Sequence, residues 1–174
     1  MKKKYLALLT ALMLTAGIST GVQAAELKAL NTQQANIVTV AAFMAKGDLP
    51  NLKKSLATAL DNGMTVNQTK EVLVHLYAYT GFPRSLNALS TLNNLVQERK
   101  AAGINDEMGP DATPLDTSVD RLAKGTEIQT AISGRVVTNE FAPIINTFLR
   151  EHLFYDIFAR DVLTWQQREL ATVG

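Results

Sequence analysis

Glu71, His75 and Tyr79 are spaced i, i+4, i+8, so a single helix can present all three on one face. An imidazole beside a carboxylate can hold its charge near neutral pH and exchange protons with a bound acid. Arg84 follows the Gly81-Phe82-Pro83 turn and can receive a substrate carboxylate through two nitrogens. His152 sits next to Glu151 and ahead of Phe154 and Phe158, a second place where an acid can be held. Each pattern also has a plainer use. A Glu–His pair at this spacing can simply satisfy a helix surface or a subunit contact, and His152 can be a capped or interface histidine. Bulky apolar residues at helical spacing are what any helix bundle needs for its core.

Composition removes most other chemistry. The chain has 174 residues, 47% of them hydrophobic, with no cysteine and two histidines. Disulfides, thiolate zinc sites, iron–sulfur clusters and thiol peroxidase activity are all excluded, and no metal or cofactor is expected. Met1-Lys2-Lys3-Lys4, an apolar run from Leu6 to Ile18, and Val22-Gln23-Ala24 form the pattern of a secretory leader cleaved after Ala24. The run is shorter than the roughly 20 apolar residues of a membrane span, so no membrane association is expected after cleavage. Removing the leader takes three lysines and no acid, turning 17 basic residues into 14 against 16 acidic, a net of −2. A net-acidic domain without a basic stripe is a poor ligand for nucleic acid. An exported chain without thiols fits a periplasmic or secreted location.

The elements that must position these residues read as helices throughout. Asn31 or Thr32 can cap a first helix ending near Gly47, and Asp48 or Pro50 opens a second that stops at Asn62-Gly63. Thr65-Val66-Asn67-Gln68 is a capping-box pattern that opens a third helix through Val72, Leu76 and Tyr79 to Gly81. Pro83 starts a fourth, with Leu86, Leu89, Leu92 and Val96 expected inward. Residues 104–118 read as a linker, 119–133 as a helix broken by Gly134, and Pro143 as the start of another. Thr164-Trp165-Gln166-Gln167 repeats the capping box. The fold class is all-α. Val72, Leu76 and the Phe148–Phe158 region are expected to offer an apolar face for self-association. Residues 30–40 also align with 163–173, matching a leucine, both glutamines, a threonine and a valine, which suggests an internal repeat.

Two runs carry a family resemblance. Leu60-Asp61-Asn62-Gly63-Met64-Thr65 with the segment from Glu71 to Leu89, and the segment from Phe148 to Asp161 leading into Arg168-Glu169-Leu170-Ala171-Thr172, resemble the carboxymuconolactone decarboxylase family. The resemblance implies the all-α fold shared with alkylhydroperoxidase D-like proteins, assembled as trimers or hexamers. The exported members it resembles carry two such units. The expected division is therefore a leader at 1–24, unit 1 at 25–103, a linker at 104–118, and helices at 119–174 that lead into a second, truncated unit.

The resemblance also implies a proton relay, and this sequence departs from it. In the peroxidase branch a glutamate precedes two cysteines and a histidine. In unit 1 these positions fall on Asn36, Asp48, Asn51 and Ser55, none of which keeps the family residue. The decarboxylase branch likewise expects a histidine where Ser55 stands. Glu169 holds the glutamate position of the second unit. Catalytic candidates are accordingly Glu71, His75 and Glu169, with Tyr79, Arg84 and His152 as substrate-binding candidates. Two functions stay open: cofactor-free proton transfer on a small organic acid or lactone, impaired in this chain, or a non-catalytic module for binding small acids or for assembly. Asn36 and Ser55 favour the second for unit 1.

Overall fold

The computed structural model describes residues 30–174. The expected leader and its cleavage site lie outside these residues. Among them every regular element is a helix. Asn31 accepts the Gln34 backbone N–H at 2.9 Å while the Gln34 side chain accepts the Asn31 N–H at 3.0 Å, and α1 (Thr32–Lys46) begins from this box. It ends at Gly47, whose φ of 73° is the left-handed turn that glycine adopts without cost. Asp48 then caps α2 (Leu49–Asp61) by accepting the Asn51 N–H. Thr65 and Gln68 form the second box, ahead of α3 (Val66–His75).

The expected third helix is made of two pieces. α3 stops at His75, Leu76 keeps a right-handed helical conformation, and α4 (Tyr77–Thr80) continues to Gly81. The long α5 (Phe82–Ala101) follows, with proline in its first turn. After residues 102–120 come α6 (Arg121–Ser133), α7 (Ile144–Thr147), a π-helix (Phe148–Phe158) and α8 (Trp165–Val173). The third capping box, Thr164 with Gln167, starts α8.

One core unites α1, α2, α3, α5 and α8. Ile37, Val40, Ala41 and Met44 from α1 meet Leu52, Leu56, Ala59 and Leu60 from α2, with Val72, Leu73, Ala88, Leu92, Leu95, Leu163 and Ala171 completing it. Leu86, expected inward, is 60% exposed. The buried stripe of α5 runs through Ser85, Ala88, Leu92 and Leu95, and Leu86 lies just off that helical period. Val72 and Leu76, expected to offer an outer apolar face, are buried in this core instead. Phe154, Ile157 and Phe158 are buried as well, so they too are withdrawn from any such face.

The three capping boxes meet at one end of the bundle. Gln167 Nε2 donates to Gln33 Oε1 at 3.1 Å, and Gln33 Nε2 donates to Gln68 Oε1 at 3.4 Å, so side chains from the first turns of α1, α3 and α8 are chained together. α6 lies along the π-helix so closely that a Cβ on Gly125 would collide with the Arg150 carbonyl. The segment expected as a linker carries no helix but is pinned. Val66 N–H donates to the Glu107 carbonyl and Asn67 N–H to the Met108 carbonyl, both at 2.9 Å. Asn67 Nδ2 adds a bond to the Gly109 carbonyl. Arg99 grips the nearly buried Asp106 carboxylate through Nε and Nη2. Residues 104–111 are therefore a strap fixed to the start of α3 and the end of α5.

Candidate functional site

α3 and α8 carry the polar centre of the molecule, because each places a charged side chain on its buried stripe. Glu71 is 1% exposed and Arg168 is fully buried. A lone charge in such a place is costly, so each must be paired. Arg168 Nη2 donates to Glu71 Oε1 at 2.8 Å and to the Arg160 carbonyl at 2.7 Å. Arg160 forks onto the same carboxylate, Nε to Oε1 at 2.7 Å and Nη2 to Oε2 at 3.0 Å. Burial alone would raise the Glu71 carboxyl, but the two guanidiniums outweigh it and hold the group below its ordinary value. The carboxylate is fully engaged.

His75 is fully buried one turn along. Thr172 Oγ1 donates to the Arg168 carbonyl at 3.0 Å, so at its 2.9 Å contact with His75 Nε2 it accepts the ring proton. In that arrangement Nε2 carries the proton, and Nδ1 has no hydrogen-bond partner. The ring packs edge-on against Phe158 at 5.1 Å and against Tyr79 at 5.3 Å. Burial, followed by the positive charge of Arg168, pushes His75 down to about 4, with Glu71 pulling weakly the other way. The expected Glu71–His75 pair is thereby corrected. The two share a face, but arginines take the carboxylate, and the imidazole is neutral at physiological pH.

The remaining candidates are scattered. Tyr79 is 43% exposed and lies over His75, with burial raising its phenol above the usual value. Arg84 is exposed at the start of α5 and stands beside Gly47, with no hydrogen bond to Glu71 or His75. His152 is exposed on the π-helix, where Nδ1 bonds Asp156 Oδ2 at 2.8 Å and the ring faces Tyr77. Glu169 is exposed on α8, next to Arg168 in sequence but outside the buried cluster. The structure brings together Glu71, His75 and Tyr79, and leaves Arg84, His152 and Glu169 apart from them.

Arg160, Arg168 and Thr172 are the partners that the spacing argument missed. They lie 89 and 97 residues from the groups they bind. A local signal did exist for Arg168. It shares a helical stripe with Ala171, and a charge on the buried stripe of a capped helix requires a buried counter-charge.

The positions of the family relay have structural roles instead. Asn36 accepts from Asn62 Nδ2 at 3.2 Å, and Ser55 donates to the Leu52 carbonyl at 2.9 Å. Asp48 caps α2 and accepts from Asn51 Nδ2 at 2.8 Å. Among the described residues, no group of three His, Cys, Asp or Glu side chains is arranged to hold a metal ion, and no helix is long and apolar enough to cross a membrane.

No curated protein matches the chain. Residues 12–94 match the model of the carboxymuconolactone decarboxylase family, a span that contains both the Leu60–Thr65 run and the segment from Glu71 to Leu89. Residues 12–94 thus form a unit of the carboxymuconolactone decarboxylase family, in keeping with the all-helical fold of the described residues.

Proposed function

We propose that this chain works as a non-catalytic carboxymuconolactone decarboxylase-like module, an exported assembly unit that associates with further copies of itself. The supporting observation is the state of Glu71: two guanidiniums saturate its carboxylate in a buried site beside a neutral, sealed His75. General acid–base catalysis needs a group that can take a proton and reach the substrate. Here the polar face is spent on fastening α8 and Arg160 to α3. Asn36 and Ser55, at the relay positions, bond only the Asn62 amide and the Leu52 carbonyl. Small acids are left to surface groups such as Arg84, where charge and shape suffice and no proton has to move.

The test is a progress curve with a muconolactone-type acid, run on the chain and on Glu71→Gln and His75→Ala variants. The expected rate is that of the uncatalysed reaction in all three. Urea unfolding of the same samples should show Glu71→Gln destabilised by about 3–5 kcal/mol, the usual cost of breaking a buried pair. Robust turnover that disappears in the variants would identify the face as an active site and reverse the proposal.

A further inference from the structure

The strap and α5 enclose a groove that the cluster around Glu71 does not use. Two pockets of about 280 and 260 Å³ share Val96, Gln97 and Met108 as walls, so they form one continuous depression. Each is just under the roughly 300 Å³ floor of small-molecule sites, and as one groove they exceed it. Leu89, Leu92 and Val96 line the α5 side, and Ile104 and Met108 line the strap side. Ile104 is 43% exposed and Met108 55%, although the strap is tied down on both sides of them. Arg99 holds Asp106, and the Glu107 and Met108 carbonyls accept from α3. The apolar walls are thus held apart by fixed backbone rather than collapsed onto one another, and a preformed apolar cleft favours a ligand that fills it.

The charged side chains lining the groove are Lys70, Lys100 and Asp106. Asp106 is paired with Arg99, which also holds Asp61 at 2.8 Å, and Lys70 donates to Asn67 Oδ1 at 2.6 Å with Asp111 at 3.9 Å. Lys100 has no ion-pair partner among the described residues and is exposed at the strap end. The charged side chain of the lining that has no counter-ion is therefore the Lys100 ammonium. Gln97 and Asn105 add amide donors at the same end.

We infer that this groove binds an amphipathic organic monocarboxylate, its alkyl or aryl body between α5 and Met108 and its carboxylate on the Lys100 ammonium. The inference does not depend on the assembly role proposed above, since none of these residues belongs to the Glu71 cluster. It is tested on the full chain by calorimetric titration with octanoate, with octylamine as a probe of equal tail and opposite charge. Octanoate should bind saturably and octylamine more weakly. Lys100→Glu and Met108→Glu should each weaken octanoate by about tenfold or more, while Lys124→Glu on α6 leaves it unchanged. The absence of saturable octanoate binding, wild-type affinity in Lys100→Glu, or equally tight octylamine binding would each overturn the assignment. All these variants alter exposed side chains, and their unfolding midpoints confirm that a lost signal is not lost folding.

Discussion

His75 makes the stability of this protein depend on pH. Its folded value is about 4 against an ordinary 6.5, so between these limits the unfolded chain binds more protons than the native one. Stability must then rise with pH across that window. The contribution is fully present above about 6.5 and is lost as the pH falls toward 4, with a total on the order of 3 kcal/mol. The Glu71 carboxylate, held below its ordinary value, adds a further loss only at more acid pH, where it must be protonated. Urea midpoints measured from pH 7 down to pH 4 should fall steadily in the wild type. A His75→Gln chain, which keeps a side-chain donor toward Thr172, should give a flatter profile. An unchanged slope in that variant would mean that another group carries the titration. At this scale the helical period put Glu71, His75 and Tyr79 on one face, and the structure keeps them adjacent although α3 ends at His75 and Tyr79 stands on α4. The sequence misjudged their protonation, because the arginines that decide it arrive from residues 160 and 168, and side-chain spacing holds no information about them.

At the scale of elements, legibility followed the reach of the signals. Capping boxes act within four residues, and Asn31, Thr65 and Thr164 all start helices where their hydroxyl or amide oxygens require it. The strap was opaque because its bonds run to α3 and α5, and its Gly109-Pro110 signature marks only a break in helix. The π-helix was equally hidden: apolar spacing over residues 148–158 suits any helix and does not mark a wider turn. Gly125 makes the close packing of α6 on it possible. Its missing Cβ leaves room for the Arg150 carbonyl, and a methyl group there meets backbone that cannot rotate away. Gly125→Ala should therefore destabilise the protein by about 1–3 kcal/mol, although alanine is the better helix former. Urea unfolding checks the sign. A stabilised variant would show that propensity outweighs the contact and that the two helices can slide apart.

For the whole molecule, the distribution of apolar surface bears on assembly. The outer face expected on α3 is absent, since Val72 and Leu76 lie in the core. Another stripe takes its place. Phe141, in the bend before α7, Ile144 and Ile145 on α7, and Phe148 at the start of the π-helix are 100%, 62%, 44% and 57% exposed. Burying a large apolar side chain is worth about 1.5–3 kcal/mol, so leaving four in water is a standing drive toward association. A second copy meeting this stripe in a closed, symmetric contact would remove them from water, in keeping with the oligomers that the family resemblance implies. Light scattering across micromolar concentrations should report a mass above that of one chain, rising with concentration toward a plateau. Phe148→Glu would put a charge at the edge of the contact, where it must be desolvated without a partner, and should shift the species to monomer by at least about tenfold in concentration. Phe148 lies on the exposed side of its helix, so the variant's unfolding midpoint should stay close to that of the wild type. A wild-type chain that stays monomeric at every concentration would show that this stripe tolerates water and that assembly, if it occurs, uses another surface.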